Sequence, residues 1–528
     1  MPSNEDPLPQ GVPSAVAERV GEVRRPATDP TLGVPVAVTG TKGTPPHRLV
    51  AIGDSLTHGF QSGAIFNTDL SWPAIVAHEL GWSGLRYPRY GGPGGLPINI
   101  ELLLRDLEHR FGPTLSLWEL PLALFRARQL MDEIEDYWER GPGAHPTEVA
   151  GAMHVLGIYG WDLRDALSKT AASCRRAIGE PRDALLSQIV ENNGERAALL
   201  VYPMAEADQD KTVFDVARDL GEDHDDSAES GIETLVVFLG SNNALQSVTK
   251  LDVTWSDKDF KDLRRKNRAT VWRPEHFASE LDEIATEVRR INARHVIWCT
   301  VPHVTIAPIA RGVGGKTKPG SRYFPFYTRP WIDDATFDPH QDPSITGAEA
   351  RAVDYAIDCY NDHIESVVHA ARSAEGEDAK DWYLLDVGGL LDRLASRRYL
   401  TDPNARPDWW SPYPLPAPLT ALAPVPDSRF LTGDGDGGRA MGGLFSLDGV
   451  HPTTIGYGVI AQEVINVMRL AGVPFGARQD PVVVDMHRLI RRDTLVRTPP
   501  QNISPSLETL RWADETLDWV KRALVFKA

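Results

Sequence analysis

"LVAIGDSLTHGF", residues 49–60, carries an apolar run from Leu49 to Ile52 straight into Gly53-Asp54-Ser55-Leu56. So short an apolar run, bounded by turn residues, reads as a buried strand. In α/β sheets the carboxyl ends of strands are where ligands and chemistry collect. Two readings follow. The stretch is a strand and a turn with an Asp or Ser helix cap, or it is a strand that delivers a serine to a reactive position. The rest of the chain decides between them.

Outward from Ser55 the pattern alternates. "SWPAIVAHELG" (71–81) reads as a short helix ending at Gly81, and "YPRYGGPGGLP" (87–97) as a Gly/Pro loop. Residues 98–140 have helical spacing, with Leu102, Leu103, Leu107, Leu130, Ile134 and Tyr137. Four further apolar runs read as strands: "MHVLGI" (153–158), "TLVVFLG" (234–240), "HVIWCTVP" (295–302) and "WYLLDV" (382–387). Helical segments at 161–178, 277–293 and 347–372 separate them, and another follows at 453–472. Strand, helix, strand, helix predicts an α/β fold: a three-layer α/β/α sandwich around a five-stranded, mostly parallel sheet. One such domain is expected over residues 47–475, with a helical insertion at about 98–150. Residues 1–46, rich in Pro, Gly and Thr and without periodicity, are expected to form a flexible N-terminal tail. Residues 476–528, including "LETLRWADETLDWVKRAL", are expected to form a C-terminal helical extension. The acidic "GEDHDDSAES" (221–230) reads as a solvated loop.

Composition narrows the partners. The 528 residues include 55 Lys and Arg against 73 Asp and Glu, a net charge of −18. That balance disfavours nucleic acid or an anionic membrane surface as the main partner. Cys174, Cys299 and Cys359 lie far apart and form no zinc spacing, so neither a disulfide scaffold nor a metal site is expected. "MPSNEDPLPQ" has no basic start and no apolar core, so cytoplasm is the expected compartment. No apolar run reaches the roughly eighteen residues of a membrane span, so no integral membrane segment is expected. The oligomeric state stays open.

Three segments complete the reading of Ser55. "VLGIYGWDLRDA" (155–166) puts Gly160 between a short strand and a helix start. "FLGSNNAL" (238–245) puts Asn242 and Asn243 just past a strand end. "FSLDGVHPTTIGY" (445–457) puts Asp448 and His451 three apart, before a helix. With Gly53-Asp54-Ser55-Leu56, the chain resembles the SGNH (GDSL-type) serine hydrolase family. The four motifs stand in that family's order across roughly residues 48–475. The resemblance implies serine-dependent hydrolysis of an ester, without a cofactor or metal. A lipid ester, an acetylated sugar and a thioester are all open as substrates. A serine hydroxyl needs a base to take its proton, and a histidine does this near neutral pH. A carboxylate on the other ring nitrogen fixes the tautomer. Ser55, His451 and Asp448 fill these roles. The resemblance also implies an oxyanion hole built from the Ser55 backbone N–H, the Gly160 N–H and the Asn242 side chain. Asn243 stands where an acidic residue is commoner, so any contact made by that carboxylate is in question.

Other residues compete for these roles. His58 lies three residues from Ser55 but reads as a wall residue, because Asp448 and His451 already supply base and orienter. His303, after the fourth strand, reads equally as structural or site-lining. The glycines at 91, 92, 94 and 95 are the alternative to Gly160. Ser247 and Lys250 match S-x-x-K, which would suit a serine amidase, but the companion signatures are missing and the match reads as an exposed turn. No G-x-S-x-G elbow exists, and "GVGGKTKPG" (312–320) lacks phosphate-loop spacing. Aromatic residues in the long loops (Tyr323, Phe324, Phe326, Trp409, Trp410 and Tyr413) are expected to shape a site for a neutral or apolar ester. The rival class is a non-catalytic binding protein on the same fold.

Overall fold

The computed structural model describes residues 7–36, 43–116, 118–145, 151–179, 190–203, 205–223, 231–476, 481–503, 511 and 514. Five strands build the central sheet: β1 (Val50–Gly53), β2 (Val155–Gly157), β3 (Ile232–Phe238), β4 (Ala293–Cys299) and β5 (Trp382–Leu385). All five fall where the apolar runs predicted them. Their spatial order is β5-β4-β3-β1-β2, and every neighbouring pair is parallel. The chain leaves β1 outward to β2, then returns to the other side of β1 for β3. The order reverses there, so a crevice opens past the carboxyl ends of β1 and β3. Ser55 follows β1 and Asn242 follows β3, which brings two distant motifs to one place.

Both faces of the sheet are covered, because alternate residues on each strand point to opposite sides. Val50, Ile52, Leu235, Val237, Val296 and Trp298 enter one apolar core with the helices Leu163–Ser168, Val213–Glu222, Pro274–Arg289 and Gly347–Arg372. Ala51, Val236, Phe238, Ile297 and Cys299 enter the other with Trp72–Leu80, Val387–Leu394, Thr454–Leu470 and Met486–Arg492. Local signals set the helix ends. Thr346 and Glu349 form a reciprocal capping box at the start of Gly347–Arg372. Gly81 closes Trp72–Leu80 in the left-handed conformation, at φ 68°. Residues 98–140 contribute the helices Ile100–Phe111 and Leu120–Glu139, whose apolar faces join the first core. Among the described residues no helix is long and apolar enough to cross a membrane.

Three expectations need correction or restriction. The described part of the N-terminal tail, residues 7–36, is docked. Val16 is fully buried, Arg24 Nη1 lies 2.9 Å from Asp386 Oδ2, and Leu384 N–H donates to the Pro30 carbonyl at 2.9 Å. A segment without periodicity holds its place here through backbone carbonyls and one buried arginine. The S-x-x-K match is no exposed turn. It lies in the helix Asn242–Lys250, where Ser247 is buried. In the C-terminal extension the short helices Met486–Arg492 and Thr494–Arg497 are present. "LETLRWADETLDWVKRAL" and most of the acidic 221–230 stretch lie outside the described residues.

Candidate active site

Two glycines let the turn at Ser55 form. Gly53 and Gly157 are register partners at the ends of β1 and β2. A Cβ on Gly53 would collide with the Thr57 side chain and the Phe238 carbonyl. A Cβ on Gly157 would press on the backbone of Thr57 and His58. The short helix Ser55–His58 sits in the space they leave, and the Asp54 carboxylate caps it by accepting from Leu56 N–H at 3.0 Å. Burial pushes that carboxyl up to about 6.

The structure brings Ser55, His451 and Asp448 together. Ser55 Oγ lies 2.8 Å from His451 Nε2, and His451 Nδ1 lies 3.0 Å from Asp448 Oδ2. The Asp448 carboxylate accepts three backbone hydrogen bonds as well: Oδ1 from Val450 and His451 at 2.9 and 2.8 Å, Oδ2 from Gly63 at 3.0 Å. Burial alone would raise this carboxyl. The adjacent His451 ring and these hydrogen bonds outweigh it, and Asp448 is held below the usual carboxylate range. With Nδ1–H donated to Asp448, Nε2 presents its lone pair to the Ser55 hydroxyl.

The loop after Ser55 grips the loop that carries Asp448. Ser62 N–H donates to Ser446 Oγ at 2.9 Å, and the Gly63 N–H is spent on Asp448 itself. The Phe60 ring packs against His451 with centroids 4.5 Å apart, while the Phe60 carbonyl accepts from Tyr457 Oη at 2.6 Å. Phe60, Gly63 and Ser446 thus position the relay, yet none belongs to a recognisable motif.

The candidate oxyanion donors lie at the same sheet edge. The Ser55 and Gly160 N–H groups have no acceptor among the described residues. Asn242 Nδ2 donates one proton to the Trp161 carbonyl at 2.8 Å, which leaves its second free. Gly160 has φ 76°, a conformation that suits glycine. The rival glycines lie elsewhere. A Cβ on Gly92 would strike the Tyr137 ring of the insertion, and one on Gly95 would strike the Ile65 backbone. Asn243, where an acidic residue was in question, accepts from Leu163 N–H through Oδ1 at 3.4 Å and so steadies the turn after Gly160.

The competing residues are committed to other work. His58 Nδ1 accepts from Tyr159 N–H at 3.2 Å, which leaves Nε2–H to donate to Tyr90 Oη at 2.6 Å; that hydroxyl donates on to the Ala197 carbonyl at 2.9 Å. Burial drives the ring down to about 3, so His58 stays neutral. Ser247 Oγ donates to its own helix at the Ala244 carbonyl, 2.6 Å away, as a structural hydroxyl does. His303 lines the cavity beside Ser55 but is held between Asp392 and Asp358, each 3.1 Å away. Burial opposes its charge, but Asp392, Asp354 and Asp358 prevail and lift it to about 10.

A cavity of about 110 Å3 lies beside Ser55 and His451 and opens to solvent. Leu56, Val304, Leu390, Leu444, Val459 and Ile460 supply much of its wall, with little polar surface. The loop aromatics expected to shape this site do not line it. Tyr323 is buried elsewhere, and Trp410 packs on Tyr399 with centroids 5.7 Å apart. The lining is largely aliphatic and comes from the helices Val387–Leu394 and Thr454–Leu470, with Leu56, Leu245 and the loops around Val304 and Leu444. Among the described residues no group of three or more His, Cys, Asp or Glu side chains is placed to hold a metal ion.

Compared with protein families, with curated proteins and with solved structures, the chain matches none.

Proposed function

We propose that the protein is a serine ester hydrolase of the SGNH (GDSL-type) kind, acting on an ester with an apolar acyl chain. One observation carries this reading: the Ser55–His451–Asp448 relay opens onto an aliphatic cavity at the switch point of the sheet. Ser55 Oγ attacks the acyl carbonyl carbon while His451 Nε2 takes the hydroxyl proton. Asp448 stabilises the imidazolium that results. The carbonyl oxygen, now an oxyanion, is received by the Ser55 N–H, the Gly160 N–H and the free Asn242 amide proton. His451 returns its proton to the alkoxide leaving group as the C–O bond breaks, leaving an acyl-Ser55 ester and a free alcohol. Water repeats the sequence: His451 takes its proton, the hydroxide oxygen adds to the acyl carbon, and Ser55 Oγ departs with the proton from His451.

A burial of roughly 0.8 kcal/mol per methylene makes an aliphatic wall a chain-length selector. The test pairs a fluorophosphonate probe with p-nitrophenyl esters of graded chain length. Ser55 is expected to be the labelled residue, and Ser55→Ala to abolish both labelling and turnover while the fold persists. kcat/KM is expected to climb from acetate to medium-chain esters. Labelling that persists in Ser55→Ala would refute the nucleophile, and a flat chain-length profile would refute the role of the cavity.

A further inference from the structure

A second cavity lies across the 302–312 segment from the aliphatic one. Pro302, Val304 and Ala307 face the first, whereas Thr305, Ile306 and Arg311 face the second. It has a volume of about 400 Å3 and opens to solvent. Five arginines line it: Arg311, Arg322, Arg397, Arg398 and Arg429. Two aspartates, Asp333 and Asp334, line it too, so in a chain of net charge −18 this wall carries a local excess of basic side chains.

Neutralisation within the protein is incomplete. Arg311 pairs with Asp334, Arg398 with Asp354 at 2.7 Å, and Arg429 with Asp427 at 2.6 Å. Arg322 and Arg397 have no carboxylate at ion-pair distance among the described residues; Asp358 and Asp334 act on them only from farther away. Arg397 donates to the Gly312 carbonyl at 2.8 Å and lies over the Phe324 ring at 4.9 Å, contacts that orient the guanidinium without cancelling its charge. Lys316, behind this wall, reports the same field. Burial lowers its ammonium, and Arg398, Arg397 and Arg322 push it further, to about 7, against the opposing pull of Asp402. Phe324, Trp331 and Phe430 supply apolar and aromatic wall on the same cavity.

We propose that this cavity is a binding site for an organic phosphate monoester, with its phosphoryl group at Arg397 and Arg322 and its organic part against Phe324, Trp331 and Phe430. Two guanidiniums with no carboxylate at ion-pair distance can turn their donors to a phosphoryl group. Arginine is the side chain best suited to phosphoryl oxygens, because its planar fork donates two parallel hydrogen bonds. The aromatic wall asks for an organic group beyond the phosphate. This site is independent of the Ser55 relay and stands whether or not the ester reaction is right.

The full chain is titrated by calorimetry and by thermal melting with phenyl phosphate, inorganic phosphate and benzoate. Phenyl phosphate is expected to bind saturably and to raise the melting temperature, inorganic phosphate to bind more weakly, and benzoate weaker still. Arg397→Gln is expected to weaken phenyl phosphate by about tenfold or more, the loss of one charge-assisted contact, and to leave p-nitrophenyl ester hydrolysis unchanged. Because Arg397 also holds Gly312, Arg397→Lys serves as a second variant: it keeps a cation able to donate to that carbonyl but loses the planar fork, and is expected to weaken binding too. Absence of saturation by about 10 mM phenyl phosphate, a concentration that still detects millimolar sites, would overturn the proposal. So would equal binding of benzoate and phenyl phosphate, equal binding of inorganic and phenyl phosphate, or unchanged affinity in both variants.

Discussion

Asp448→Asn tests the relay at its least exposed member. The wild-type carboxylate receives two donors on each oxygen: Val450 and His451 N–H on Oδ1, Gly63 N–H and His451 Nδ1–H on Oδ2. An asparagine amide must place its NH2 at one of these positions. At Oδ1 it would face two backbone N–H groups, neither of which can turn round. At Oδ2 it would face one, the Gly63 N–H, and could donate to His451 Nδ1. The second placement costs less, and it forces the imidazole into the tautomer with its proton on Nε2. That proton points at Ser55 Oγ, so His451 donates where it should accept, and the serine keeps its hydrogen. A loss of ~10⁴-fold in kcat is expected, about 5.5 kcal/mol of transition-state stabilisation. The facing Gly63 and amide donors cost roughly 1–3 kcal/mol of stability as well. That cost follows pH. The native carboxyl lies below its ordinary value, so its contribution is present above about pH 4 and is lost as pH falls through the lowered native value. The stability gap between wild type and variant is therefore expected to close in acid. The assay is p-nitrophenyl ester turnover with fluorophosphonate labelling rates, alongside circular dichroism and melting from pH 3 to 8. A folded Asp448→Asn enzyme that keeps more than about a tenth of wild-type kcat would refute the tautomer argument.

Asn242→Ala is expected to lower kcat by ~10²-fold or more with little change in KM, because an oxyanion donor acts in the transition state; a change confined to KM would remove it from that role. His451→Ala is expected to cost several orders of magnitude in rate, while in His58→Ala the loss of activity tracks the loss of fold as read by circular dichroism; a folded, inactive His58→Ala would reverse the assignment of the base. His303→Gln is expected to destabilise the protein by about 3–5 kcal/mol near pH 6, since it strips the partner from two buried aspartates. The His303 ring is raised to about 10, so its stabilisation is complete below its ordinary value near 6.5 and disappears as pH rises through 10. Wild type should lose melting temperature from pH 7 to 10 more steeply than the variant, and parallel curves would count against the charged ring.

The site was legible where its chemistry is local. Asp448 and His451 sit three apart on one turn, and Ser55 and Asn242 follow strands whose apolar runs are unmistakable. The reversal of strand order that brings them together is not written in any one segment. The aliphatic cavity was missed because Leu56, Val304, Leu390, Leu444 and Ile460 come from separate segments, each with the periodicity of ordinary core. The loop aromatics drew attention instead, but they pack against one another and against arginines, as Trp410 does on Tyr399 and under Arg406. Arg311, Arg322, Arg397, Arg398 and Arg429 come from four separate segments, so their gathering on one wall exists only in three dimensions. The N-terminal segment misled for a related reason: a proline-rich stretch has no periodicity to read, yet its carbonyls accept hydrogen bonds as well as any.

That segment has a consequence for how the molecule meets its neighbours. β5 is an outer strand of the sheet, the kind whose unpaired amides invite another chain to add on. The amide of Leu384 is taken by Pro30, and the Asp386 side chain just beyond the strand holds Ala27 N–H at 2.7 Å. Pro30 has no N–H to offer in return, so the pairing it makes cannot propagate into a further ladder. Residues 24–30 thus act as a guard rail on the open side of the sheet, closing off recruitment of a sixth strand from another molecule. Trimming the chain to the start of β1 would leave the Ser55 site chemically whole while exposing a templating edge, so shortened forms should fail by self-association before they fail by loss of activity.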